Sequence, residues 1–475
     1  MNQPSPQPPP LDPEARQRTL RLSVREGLIW SIVWGFGEAY VQPFAIFLKA
    51  GPTILALLGN LPAFLGAAGQ ILGTTLMERL GRRRQLIVAT TAIQGLMFLP
   101  LYFLPLLFPG PGAAWVLLVY GTGTLLFSAG GPLWTSLMGD VVPDDQRGRF
   151  FGMRSRFILM GMVVSMLLAS LIVSRFSDWG LPWVGFGILF LTAGAARLTC
   201  SYLFSKHADP PMARHTLTSL HAPGWWGRLR RSPYAYFALV QTLLGGSFAI
   251  AAPFFGLYML RDLQWSYIQF TTITVVFLLA QITVIKWWGH LCDRHGTRVV
   301  FQTTCLLLPL CHIAWFLTSD FRLLLAVQLI SGALNAGFNL ASANYMYDSV
   351  PSFHRARVVS YQSLVNSLVN LGAGLAGALL ARRLPHEIQL PSLHIEMTSN
   401  LPVIFLAAGL LRLVLSIHLL PRVKEVRAVE PISSFDLMRR LALAEPLREQ
   451  LGQLATLLTP RRTGKGKRES SDRSD

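Results

Sequence analysis

The sequence predicts an all-α membrane protein, with twelve transmembrane helices arranged as two pseudo-symmetric six-helix bundles. Three observations carry this. Of 475 residues, 52% are hydrophobic and 14% charged, more apolar surface than a soluble domain of this length can bury. Twelve stretches approach the roughly 20 apolar residues a helix needs to cross the bilayer, without the alternation of barrel strands. Finally, Phe190-Leu191-Thr192-Ala193-Gly194-Ala195-Ala196-Arg197-Leu198 returns 215 positions later as Phe405-Leu406-Ala407-Ala408-Gly409-Leu410-Leu411-Arg412-Leu413, so the membrane unit is duplicated in tandem.

Residues 1–26 are polar and Pro-rich, with no cleavage site after a short apolar core, and form an N-terminal segment ahead of a retained first span. The first bundle covers 27–205, with spans near 28–49, 53–76, 85–108, 114–137, 151–173 and 184–205. Residues 206–233 are the one long connection, a linker whose Trp225 and Trp226 beside Arg228, Arg230 and Arg231 suit the headgroup level. The second bundle covers 234–421, with spans near 235–259, 267–288, 299–317, 323–346, 358–380 and 400–420. A basic tail, 422–475, includes a helical stretch at 435–457. Beyond Phe435 it has no aromatic residue on which bases could stack, so membrane lipid rather than nucleic acid is its expected partner. Cys200, Cys292, Cys305 and Cys311 form no CxxC pair, which argues against a disulfide framework and a zinc site.

The net charge of +18 is a topology signal. Of 42 Lys and Arg, only Lys49, Arg175, Arg261, Arg322, Arg382 and Arg383 fall in the loops away from the termini. Arg197, Lys286 and Arg412 fall within spans. The positive-inside rule then puts both termini in the cytoplasm, as expected for a multi-pass protein of the cytoplasmic (inner) membrane.

Two loops repeat. Gly289-His290-Leu291-Cys292-Asp293-Arg294-His295-Gly296-Thr297-Arg298 joins spans eight and nine. Its counterpart is Thr74-Thr75-Leu76-Met77-Glu78-Arg79-Leu80-Gly81-Arg82-Arg83. A small residue lets two helices approach, an acid one turn later meets a helix N-terminus, and Gly reverses the chain. The second loop type aligns Asp140, Pro143, Arg147 and Arg149 with Asp348, Pro351, Arg355 and Arg357 at a constant offset of 208. In it the acid can accept from an arginine, and the arginines can reach carboxylates of the first loop type.

The first loop type resembles the signature loop of the major facilitator superfamily, and the resemblance covers 27–421. It departs at Thr74, where the family usually has Gly, and at Glu78, where it usually has Asp. The resemblance implies that Glu78 and Asp293 latch the two halves together on the cytoplasmic side when the protein faces outward. Arg79, Arg82, Arg83, Arg84, Arg294 and Arg298 then belong either to this gate or to topology alone.

Within the spans, Glu38 is the one acid deep inside a helix, with Tyr40 and Gln42 nearby. Charge there is costly, so Glu38 is the candidate to take up a proton as the halves move; the alternative is a packing carboxyl. The seventh span aligns with the first but carries Phe248 in place of Glu38. Asn335 and Asn339 lie one turn apart and either line a cavity or join helices, with the cavity favoured. For Gln362, Asn366 and Asn370 packing is favoured. Arg197 and Arg412 read as snorkelling side chains, and His312 as packed. Gly66, Gly69, Gly73, Gly372 and Gly374 read as close-packing positions.

No phosphate-binding glycine loop, catalytic constellation or metal-spaced cluster appears, so neither enzyme chemistry nor a cofactor is expected. The resemblance implies a secondary transporter for a small solute, with protons as the coupling ion that Glu38 points to, complete as a monomer. The alternative is a non-transporting sensor or scaffold on the same fold.

Overall fold

The computed structural model describes residues 12–143, 146–210, 233–350, 352–384, 388–390, 395–397, 399–426 and 436–437. The linker tryptophans and arginines and the helix expected at 435–457 lie outside this set, apart from 436–437. Eleven described helices are long and apolar enough to cross a membrane. The twelfth is the first, α1 (13–47), which runs as Pro13–Ile32, a π-helical stretch Val33–Glu38, and Ala39–Phe47. It starts well before the apolar run because Asp12 caps it, accepting from the Ala15 N–H, and Pro13 needs no N–H partner at the first turn.

The other helices of the first bundle are α2 (Pro52–Leu80), α3 (Arg83–Leu107), α4 (Gly112–Val141), α5 (Arg147–Asp178) and α6 (Pro182–Ser205). The second bundle holds α7 (Tyr234–Asp262), α8 (Tyr267–His295), α9 (Thr297–Leu317), α10 (Phe321–Ser349), α11 (Ser352–Arg383) and α12 (Leu401–Leu419). Between α11 and α12 sits one departure from the all-helical expectation, an antiparallel ribbon of β1 (Ile388–Leu390) and β2 (Ile395–Met397).

The duplication read from the sequence is a duplication in space. α2 packs on α4 and α3 on α6; in the second bundle α8 packs on α10 and α9 on α12. Gly81 and Gly296 both take positive φ, +62° and +92°, where the signature loops reverse the chain. Lipid offers no hydrophobic drive between helices, so close backbone approach does the holding: a Cβ at Gly73 would run into the Ala129 carbonyl of α4. Gln362 bonds Tyr234 and Gln241, and Asn366 accepts from Thr242 Oγ1 at 2.5 Å, so two members of the α11 stripe tie α11 to α7.

The two bundles close against each other at the end away from the termini. Tyr40 Oη and Thr271 Oγ1 share a hydrogen bond of 2.8 Å, and Gln42 Nε2 donates to Pro253 O at 2.6 Å. Phe186 meets Tyr267 edge-on with ring centroids 5.7 Å apart. Toward the terminal end, mid-helix Gln70 and Asn339 are exposed, as polar groups are where helices line a water-filled cleft rather than lipid. The structure is therefore sealed at one end and open at the other.

A charged cavity in the first bundle

The first bundle encloses a cavity of about 390 Å³ onto which all six of its helices project. From α1 come Glu26, Trp30 and Glu38; from α3 Thr91 and Gln94; from α4 Trp134; from α5 Arg154; and from α6 Arg197. The π stretch decides that both carboxylates face it. Twelve residues apart, they would point about 120° from each other on a regular helix, whereas one residue's extra winding brings them to within about 20°. Gly35 and Gly37 let this wide turn seat against Ser165 of α5 and Phe98 of α3, where a Cβ would collide.

Glu38 Oε1 accepts a hydrogen bond of 2.8 Å from Gln94 Nε2. Glu26, 3% exposed, accepts from Arg154 Nη2 at 2.8 Å and lies 3.6 Å from Arg197 Nη1. Arg154 also donates from Nε to Ser23 O at 3.1 Å and stacks its guanidinium over Trp134, 4.6 Å from the ring centroid. Removing one partner of such a buried pair typically costs about 3–5 kcal/mol, because the other charge is stranded.

Glu38 is not the one buried acid: Glu26, the last residue of the polar segment before the apolar run, is carried into the bundle by α1. Arg197 does not snorkel; it turns inward to Glu26 because a buried carboxylate attracts it more than the interface does. Arg412 is 4% exposed and sits over Phe338 at 5.6 Å, so it too is buried rather than snorkelling. Tyr40 lies in the seal between bundles, fully buried, and not on a cavity wall. The missed residues Gln94, Arg154 and Arg197 left a weak signal: each is a polar side chain in or at the entry of an apolar span.

Gln42 and Asn335 line a second cavity, of about 250 Å³, in the other bundle. Asn339 Nδ2 donates to Asn335 Oδ1 at 3.2 Å beside it. No carboxylate lines this cavity. Phe248, standing where the first bundle has Glu38, meets His312 edge-on at 5.3 Å, and His312 Nδ1 bonds Leu308 O at 3.0 Å.

At the terminal end the repeated loops meet within the first bundle. The pair is made by Arg83, beside the expected Arg82: its Nη1 lies 2.7 Å from Asp140 and its Nη2 3.2 Å from Asp209. Arg83 is buried while Glu78, Arg79, Arg82 and Arg149 are exposed, and Arg147 Nη2 donates to Gly139 O at 2.6 Å. In the second bundle the Arg298 N–H donates to Glu425 at 2.8 Å, Thr297 Oγ1 meets Asp348 at 3.4 Å, and Asp293 and Arg294 are exposed. Gly289 lies close to Leu340, with the nearest side-chain atom 3.9 Å from where its Cβ would be. The side chains of Arg355 and Arg357 lie outside the described residues. Among the described residues no cluster of His, Cys, Asp and Glu is arranged to hold a metal.

The profile of the Major Facilitator Superfamily matches residues 26–248 and again 237–454. No curated protein sequence matches the chain. Among solved structures, the nucleoside transporter NupG is similar at 14% identity and a TM-score of 0.64, over 86% of this chain and 100% of its own. A D-xylose–proton symporter is similar at 13% identity and 0.65, over 87% and 99%. A bacterial homologue of the iron transporter ferroportin, in an inward-facing state, is similar at 17% identity and 0.58, over 86% and 99%. These likenesses establish a shared fold.

Proposed function

The chain belongs to the Major Facilitator Superfamily of membrane transporters, and from that premise we propose that it moves a small solute by alternating access, coupled to protons through Glu38. The observation that carries this reading is the placement of Glu38. It is a carboxyl held by the neutral Gln94, on the wall of a charged cavity, in a molecule sealed at one end and open at the other. A neutral amide tolerates both protonation states, whereas a salt bridge would fix the charged one. The proton symporter of the same fold supports the coupling.

The basic loops support a cytoplasmic position for the open, terminal end, and on this reading the conformation is inward-facing. Glu78 and Asp293, both exposed, are the latch acids of this reading. Tyr40 and Gln42 serve the seal, Glu38 the coupling, and Asn335 and Asn339 the cargo path.

The test is uptake into proteoliposomes across a screen of solutes, with and without a pH gradient. Glu38→Gln keeps shape and the hydrogen bond but cannot titrate. Accumulation driven by the gradient should collapse while downhill exchange persists. A mutant that accumulates as well as wild type would remove Glu38 from coupling, and a wild type that moves nothing would favour the sensor or scaffold.

A further inference from the structure

We propose that the first-bundle cavity binds a monovalent organic carboxylate with an apolar or aromatic body, gripped by Arg197 while Glu38 is protonated. This deepens the transport reading above and rests on it. The two arginines of the cavity are used unevenly. Arg154 is committed: it holds Glu26, the Ser23 carbonyl and the face of Trp134. Arg197 is not. Its nearest carboxylate oxygen is 3.6 Å away, beyond hydrogen-bonding distance, and its buried Nε–H has no oxygen or nitrogen partner. The neighbouring group is the thiol of Cys200, a weak acceptor. A guanidinium with unfilled donors at a cavity wall is a fork for a planar carboxylate.

The charge balance sets the valence. Facing Glu38 are Glu26 on its own helix, Arg154 from α5, Arg197 from α6 and the phenol of Tyr120 from α4. With Glu38 ionised, two arginines meet two carboxylates and the cavity is neutral. With Glu38 protonated, one positive charge remains, and Arg197 carries it. Proton and monoanion therefore load together and leave together. A cationic cargo fits worse, since Glu26 already faces two guanidinium groups. Trp30, Phe127, Trp134 and Phe204 supply the apolar wall for the body of the ligand. The repeat did not copy this device: Arg412 lies over Phe338 and lines neither cavity.

The test uses the purified full chain, with benzoate as probe and tetraphenylphosphonium as cationic control. Both are titrated calorimetrically at mildly acidic and mildly alkaline pH. Wild type should bind benzoate about tenfold more tightly at the acidic pH, and Glu38→Gln should bind it equally tightly at both. Arg197→Gln should lose about tenfold or more, and Arg197→Lys should recover part of it, as charge without the fork predicts. Equal benzoate binding by wild type and a folded Arg197→Gln would overturn the proposal, and so would pH dependence surviving in Glu38→Gln should Arg197→Gln not fold. Tetraphenylphosphonium driven across vesicles by a pH gradient, with no benzoate binding, would overturn the anion site and leave transport standing. Benzoate binding with every expected signature but no counterflow of labelled benzoate would overturn transport and leave the site.

Discussion

Gln94 Nε2 donates to Glu38 Oε1 at 2.8 Å, joining a carboxyl on the π turn of α1 to the middle of α3. The Oε1 of the same amide is buried without a partner, so Gln94 has an acceptor ready for a protonated carboxyl after a turn of its amide. The two side chains should act as one unit. Gln94→Leu is expected to slow transport by about tenfold or more, and adding it to Glu38→Gln should cost little further. Initial uptake rates of the two single variants and the double variant check this, and independent effects that simply multiply would separate the pair.

The seal at the far end rests on Tyr40 with Thr271 and Gln42 with Pro253. Tyr40→Phe combined with Gln42→Ala removes both cross-bundle bonds, each worth about 0.5–1.5 kcal/mol, and should shift the population toward the oppositely opened state by roughly tenfold. A cysteine replacing the buried Met259 in an otherwise Cys-free protein reports it through labelling by an impermeant maleimide. Unchanged labelling would mean that apolar packing alone holds the seal.

Gly73 faces the Ala129 carbonyl with no room for a Cβ, whereas Gly372, expected from the sequence to be a close-packing position, has nothing within 4 Å of where its Cβ would be. Gly73→Ala is therefore expected to destabilise the protein by about 1–3 kcal/mol, and Gly372→Ala to leave it near wild type. Thermal unfolding of the two purified variants distinguishes close packing from a general dislike of substitution in helices.

Arg83 is 2% exposed and bridges Asp140 and Asp209, whose side chains are 45% and 27% exposed. Both carboxylates can turn to water once it is gone, so Arg83→Ala should cost about 1–3 kcal/mol, below the figure for a fully buried pair. Arg83→Lys should restore only part, because a point charge cannot serve two acids and Ser136 together. Melting temperatures of the three proteins decide it, and full rescue by lysine would reduce the bridge to simple charge.

Much of the fold was legible because its signals are local. Apolar run length places the spans, and repeated nonapeptides and loops expose the duplication, each readable within about 20 residues. Gly81 and Gly296 were legible for the same reason, since a chain reversal of this kind favours glycine.

The charged cavity was legible only in part. Glu38 stood out as an acid in an apolar run, yet Glu26 lies just before that run and looked like part of a solvated segment. Its partners, Arg154 and Arg197, lie more than a hundred residues further along the chain. Whether an arginine in a span snorkels or turns inward depends on what the facing helix offers, and no single-helix pattern carries that. The facing of Glu26 and Glu38 depends on a π turn that shifts helical phase by about one residue, which only packing against Ser165 and Phe98 selects. Span order and duplication were thus determined by the sequence alone. The tertiary structure decided which charges meet, because burial energy depends on neighbours brought together from distant parts of the chain.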